Sequence, residues 1–164
     1  MLSHPFPPLY NENSRVLILG SFPSVKSREQ KFFYGHPHNR FWRVIAAVFN
    51  CRVPQTIDEK KELLLENGIA LWDVIASCEI TGSSDSSIKN VTVNDISMIL
   101  KKANIEKIFV NGKAAERYYN KYIRALVNRE ALCLPSTSPA NAAWSVERLV
   151  EVWSVVAEND NSIV

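Results

Sequence analysis

A chain of 164 residues is the size of one domain, and 46% hydrophobic with 22% charged residues is the balance of a globular protein with a sizeable core. No stretch approaches the ~18 consecutive apolar residues of a membrane span, and Met1 to Pro8 holds three prolines and no apolar run flanked by positive charge, which argues against a secretory signal. The net charge of +2 hides two basic blocks, six cations against Glu29 between Arg15 and Arg43 and eight against Glu106, Glu116 and Glu130 between Lys101 and Glu130; set on one face they would suit a phosphate backbone, with the net acidic segment Arg52–Leu100 and the acidic tail after Trp144 turned away. From charge alone the plainer reading, solvated helix faces, is the favoured one.

In chain order, Arg15-Val-Leu-Ile-Leu-Gly20 reads as a buried parallel strand ending in a glycine. The turn Gly20-Ser21-Phe22-Pro23-Ser24 offers exposed backbone N–H groups for an anion and lacks a phosphate-loop lysine. Phe32 to Trp42 then packs Phe32, Phe33, Tyr34, His36, His38, Asn39, Arg40, Phe41 and Trp42 ahead of a helix at Phe41–Phe49. Aromatic rings such as Phe33 or Tyr34 there can stack a flat heterocycle, and Arg40 can meet a phosphate. The plainer reading puts Phe41 or Trp42 in the core, makes Asn39 a helix cap, and leaves His36 and His38 structural.

A helix over Ile57–Glu66 follows Thr56 and stops at Asn67-Gly68. Ile69–Asp73 is the second strand, and Asp73 then opens a loop to Asn90, where it either reads a ligand or caps a turn. A helix at Ile96–Lys102 with Asn94 as its cap precedes the third strand, Lys107–Asn111, whose last residue either contacts a ligand or caps the helix predicted over Ala114–Val127. The fourth strand, Ala131–Pro135, leads into Ser136-Thr137-Ser138-Pro139-Ala140-Asn141, a proline-stiffened loop of small residues suited to close approach to a phosphate backbone. A helix over Val146–Val156 closes the chain. Strands alternating with helices imply a parallel sheet covered on both faces, with ligands beyond the carboxyl ends of the strands. Cys51, Cys78 and Cys133 form no CxxC pair, so neither zinc nor an iron–sulfur cluster is expected, and the thiols read as reduced in a cytoplasmic protein.

Taken in order, Gly-Ser-Phe-Pro-Ser, Phe-Tyr-Gly-His-Pro-His-Asn-Arg-Phe-Trp and Pro-Ser-Thr-Ser-Pro-Ala-Asn resemble the motifs of the uracil-DNA glycosylase superfamily, closest to its hypoxanthine (deoxyinosine) branch. Phe109-Val-Asn-Gly-Lys113 is similar to the third-strand motif of the mismatch-specific uracil/thymine branch. The resemblance runs from Arg15 to the final helix and implies a three-layer α/β/α sandwich around a four-stranded parallel sheet, a single domain over residues 1–164, and DNA as the partner of a monomeric enzyme without cofactor. Two positions depart from the best-known uracil enzymes. Phe22 stands where they carry a water-activating Asp or Asn, and Pro135-Ser136-Thr137 lacks their base-stabilising histidine. The hypoxanthine branch shares both departures, and its catalytic asparagine falls on Asn39.

The resemblance thus implies a monofunctional hydrolase that releases deaminated bases (hypoxanthine, with uracil or xanthine as further candidates). Asn39 would hold the water through its amide oxygen, with Ser21, Phe22, Phe33, Tyr34, Asp73 and Asn111 around the base. Arg40 and the loop Ser136, Thr137, Ser138, Pro139, Ala140 and Asn141 would meet the DNA. A mismatch-specific uracil/thymine glycosylase, a non-catalytic nucleic-acid-binding module and a small-molecule nucleoside hydrolase are the rival readings.

Overall fold

A computed structural model of the chain describes residues 1–158; the end of the acidic tail and of the domain expected over 1–164 lies outside them. Four strands form the central sheet: β2 (Val16–Gly20), β3 (Ile69–Asp73), β6 (Lys107–Asn111) and β7 (Leu132–Leu134), all parallel, in the order β3-β2-β6-β7. Val16 to Leu19 and Ile69 to Leu71 are wholly buried, as unbroken aliphatic runs covered on both faces must be. Each of their Val, Leu and Ile side chains contributes about 1.5–3 kcal/mol on leaving water.

Three helices lie between β2 and β3: α1 (Val25–Gln30), α2 (Phe41–Val48) and α3 (Ile57–Glu66). The reciprocal capping box of Thr56 and Glu59 starts α3 at its expected residue. From β3, at the sheet edge, the chain crosses over β2 to β6, with α4 (Ser97–Lys102) on the way, and then passes through α5 (Lys113–Tyr118) and α6 (Arg124–Val127) to β7. Right-handed crossovers in opposite directions from β2 put the two groups of helices on opposite faces. The closing helix α7 (Val146–Trp153) returns to pack on α2, where Trp153 meets the ring of Phe41 edge-on at 5.9 Å. The result is the expected three-layer α/β/α sandwich. Strand order reverses between β2 and β6, so a crevice opens past the ends of these two strands, at Gly20 and Asn111.

The structure corrects several expectations. The segment after Asp73 is not a loop: β4 (Ile75–Glu79), a 3₁₀ turn at Asp85–Ser87 and β5 (Lys89–Val93) join β1 (Leu2–Ser3) in an antiparallel sheet ordered β1-β4-β5. Asn94 caps nothing; its Nδ2 donates to the carbonyls of Asp73 and Ile75, while Asp95 Oδ1 takes the N–H of Ser97 at the start of α4. The helix read over Ala114–Val127 is broken by a π-helical turn at Tyr119–Ile123, where buried Tyr119 donates to the carbonyl of Arg129. The short α1, capped by Ser24, has no apolar period long enough to reveal it in the sequence. Nor do the basic blocks share one face. Arg15 precedes β2 at the far end of the sheet, and Arg129 donates to the carbonyls of Ile105 and Glu106 at that same end.

Candidate active site

A pocket of about 280 Å³ occupies the crevice, walled by Gly20–Ser24, Phe33, Tyr34, His36, Asn39, Asp73, Ser83, Asp85, Asn111 and the loop Ser136–Ala140. Sequence motifs far apart in the chain therefore meet at one opening. Gly20 makes the closest approach: a Cβ there would lie 2.5 Å from Asp73 Oδ1 and 3.1 Å from the Tyr34 hydroxyl. Gly112, at φ +93°, would likewise bring a Cβ to 3.0 Å of Ser136 Cβ.

A chain of hydrogen bonds fixes the two asparagines. Asn111 Nδ2 donates to the Tyr34 hydroxyl at 3.1 Å and to Thr137 Oγ1 at 3.0 Å, and its Oδ1 accepts from the Thr137 N–H at 3.1 Å. Thr137 Oγ1 donates onward to Asn39 Oδ1 at 2.9 Å, which also accepts the Phe41 N–H at 2.9 Å. Asn111 caps no helix. Asn39 does cap the first turn of α2 through Phe41, but it lines the pocket as well. The amide oxygen of Asn39, expected to face a water, has both lone pairs engaged. Its Nδ2 makes no hydrogen bond among the described residues, so the donor edge is what it offers.

Asp73 is no turn cap. It ends β3, only 4% exposed, and Oδ2 lies 2.7 Å from His4 Nε2. His4 comes from the N-terminal segment, whose N–H pairs with the carbonyl of Ala76, and its ring packs edge-on against Phe6 at 4.5 Å and Phe22 at 6.1 Å. Nothing in the spacing of the sequence signals a contact across 69 residues. Asp73 Oδ1 remains as the edge toward Gly20 and the pocket.

The aromatic segment divides. Phe41 and Trp42 are both core residues, and Trp42 donates its indole N–H to the Phe33 carbonyl. Phe33 is 2% exposed, held edge-on by Phe6 and Phe32, and shows the pocket only a margin. Tyr34, with φ +52°, stacks one face on Phe41 at 4.0 Å. Burial and the nearby Asp73 charge hold its hydroxyl protonated far above the ordinary range. Phe22 completes this wall, with the Arg28 guanidinium 5.7 Å from its ring centre. His36 and His38 pair with each other at the rim, where His36 Nδ1 accepts the His38 N–H.

Arg40 ties the start of α2 to the loop after β7. Its guanidinium, expected to meet a phosphate, donates instead to four carbonyls of the following loop: Thr137 through Nε, Trp144 through Nη1, and Ser138 and Asn141 through Nη2. The loop is also braced from within. Ser136 Oγ accepts the Ser138 N–H, Ser138 Oγ accepts the Ala140 N–H, and Asn141 Nδ2 donates to the Ser136 carbonyl. Thr137 is wholly buried, its hydroxyl in the asparagine network, whereas Pro139 and Ala140 form an exposed tip. Arg40 thus holds the loop in place.

The second acid in the pocket, Asp85, has no counterpart in the sequence reading. It comes from the serine-rich turn after β4, and Oδ1 accepts the Ser21 hydroxyl at 2.8 Å. The residue is open to solvent at the rim, but desolvation of its carboxyl raises the pKa above the ordinary carboxylate value, and the Asp73 charge adds to this. The Ser21 hydrogen bond and the Arg117 charge pull the other way. Among the described residues no His, Cys, Asp and Glu group has the geometry of a metal centre, and no helix is long and apolar enough to cross a membrane.

Comparison with known proteins agrees with this architecture. The model of the family "Uracil DNA glycosylase superfamily" matches residues 7–157. A Methanosarcina acetivorans protein named hypoxanthine DNA glycosylase is 35% identical over 158 residues, covering 95% of this chain and 98% of its own length. A Methanosarcina barkeri protein of the same name is 36% identical over 139 residues, covering 83% and 86%. A solution NMR structure of a Methanosarcina acetivorans protein, presented as a candidate uracil DNA glycosylase, superposes with a TM-score of 0.79 at 34% identity, covering 93% of this chain and 94% of that one.

Proposed function

The chain belongs to the uracil DNA glycosylase superfamily, and on that premise we propose that it is a monofunctional DNA glycosylase that hydrolyses the N-glycosidic bond of deaminated bases, hypoxanthine foremost, and so opens base excision repair. The observation that carries this reading is the pocket at the strand reversal, base-sized and ringed by oriented amides, a carboxylate and aromatic edges. It accepts one base out of the duplex, at a cost of a few kcal/mol that a mismatch lowers.

The glycosidic bond breaks toward an oxocarbenium-like state, and water then adds to the anomeric carbon. Asn39, its amide orientation held by Phe41 and Thr137, positions that water from its Nδ2 edge. An amide is no base; it supplies placement, which is what a late-attacking water needs. Hypoxanthine carries N1–H where adenine carries a lone pair. Asp73 Oδ1 accepts that N–H and repels adenine, while His4 keeps Oδ2 occupied. Asn111 already gives both amide hydrogens and its oxygen to Tyr34 and Thr137, which supports Asp73 as the reader. Phe22 and the edge of Phe33 supply the flat apolar wall. The Ser138–Ala140 tip, clamped by Arg40, approaches the DNA.

No lysine lines the pocket, and a lyase needs an amine there to form a Schiff base. The test is a panel of oligonucleotides with inosine, uracil, xanthine or thymine opposite each normal base, with alkali to reveal abasic sites and borohydride to trap any covalent adduct. Release of hypoxanthine with an intact strand and no adduct is expected. Uracil and thymine release from mismatches with inosine untouched would reassign the chain to the mismatch-specific branch. No release at all would leave a DNA-binding module.

A further inference from the structure

We propose that Asp85 is the general acid of the reaction: it donates a proton to N7 of the departing hypoxanthine. This rests on the glycosylase reading above and assigns a residue that reading leaves without a task.

The argument starts from the turn. Thr81 to Ser87 closes on itself through the Ser84 N–H to the Thr81 carbonyl, the Ser87 N–H to the Ser84 carbonyl, and Ser87 Oγ, which accepts the Thr81 N–H at 2.8 Å. It is bolted to the Gly20–Ser24 turn and to α1 at three points. The Val25 N–H donates to Ser83 Oγ, Arg28 Nη2 to the Gly82 carbonyl, and Ser21 Oγ to Asp85 Oδ1. One carboxyl oxygen is thereby fixed, and Oδ2 has no hydrogen-bond partner among the described residues.

Asp73, Ser21 and Asp85 follow one another along one side of the pocket. Asp73 stands opposite Gly20 in the parallel pairing, and Ser21, the next residue, holds Asp85. On a hypoxanthine ring, N1–H, the 6-oxo group and N7 follow one another along one edge. With N1–H on Asp73 and the oxo group over the Ser21 turn, N7 falls to Asp85. The first contact needs an acceptor and the last a donor. A pair of carboxyls in one site can divide the two roles, one accepting a hydrogen bond and the other donating a proton.

The charged and titratable groups facing Asp85 are Asp73 on β3 with its partner His4, Arg28 on α1, Tyr34 and His36 from the segment before α2, Cys78 on β4 and Arg117 on α5. Desolvation and the Asp73 charge favour its protonated form, against the weaker pull of Ser21 and Arg117. The Tyr34 hydroxyl, which also lines the pocket, is too weak an acid for this role.

The step balances. As the C1′–N9 bond breaks, its electron pair stays on the base, and the Asp85 proton goes to N7, so hypoxanthine leaves neutral. Water forms the new bond to C1′, and the proton it releases restores the Asp85 acid.

The experiment is single-turnover release from an inosine duplex across the pH range, with wild type, Asp85→Asn and Asp85→Glu. An acid must be protonated to act, so the wild-type rate is full below the Asp85 pKa and falls as pH rises through it. Asparagine keeps an acceptor for Ser21 but carries no acid proton. Asp85→Asn should lose roughly 10²-fold in rate, lose that alkaline fall, and keep its DNA affinity and melting temperature. Asp85→Glu should recover part of the rate and show the fall again at a displaced pH. An Asn variant with the wild-type rate, or a slow one that keeps the wild-type pH profile, overturns the proposal. Wild type that never releases hypoxanthine overturns the hypoxanthine reading on which the proposal rests instead.

Discussion

At the scale of single residues, the site depends on amides that cannot rotate. Asn39→Ala removes the water-positioning edge, and single-turnover release should fall about 10²-fold or more with little change in DNA affinity. Base release at the wild-type rate would move the water elsewhere. Asp73→Asn can present a donor or an acceptor to the base, so the preference for hypoxanthine over adenine should weaken and the absolute rate drop. A mismatched buried pair costs about 1–3 kcal/mol. Unchanged rates and ratio in that variant would take base reading away from Asp73. The residues seen in advance were those inside contiguous motifs: Gly20 to Ser24, Phe33 to Arg40, Ser136 to Asn141. His4 and Asp85 escaped because each reaches the site through a partner more than 60 residues away, Asp73 and Ser21. Only the register of the antiparallel sheet makes those meetings visible, and no local pattern encodes it.

At the scale of elements, Arg40 joins the start of α2 to the loop after β7. Arg40→Lys keeps the charge but loses the planar fork that serves four carbonyls at once. The loop should become more open to limited proteolysis between Ser136 and Trp144, and DNA affinity should fall even though no phosphate contact was removed. A lysine variant with wild-type affinity and protease resistance would return Arg40 to a phosphate. Strands of the central sheet were legible from their unbroken aliphatic runs, and α3 from its capping box. The small sheet was not: β4 and β5 carry register shifts in their pairing and no long apolar run, β4 does not alternate, and β5 alternates only over its last four residues.

At the scale of the molecule, the alternation of strand and helix was enough for the layered sheet and for the edge on which ligands bind. It was not enough for the charge map, because a segment's net charge says nothing of which end of a strand it sits at. Arg15 and Arg129 went to the far end, and two acids of the net acidic stretch came into the pocket. One consequence of the Arg40 clamp is thermodynamic. A loop that folded only on DNA would bury extra surface on binding and make the heat-capacity change more negative. This loop is already assembled by the hydrogen bonds of Arg40, Ser136, Ser138 and Asn141. Titration calorimetry at several temperatures should show a binding enthalpy nearly flat for the wild type. The Arg40→Lys protein should give a visibly steeper slope, the heat signature of order that has to be made on arrival.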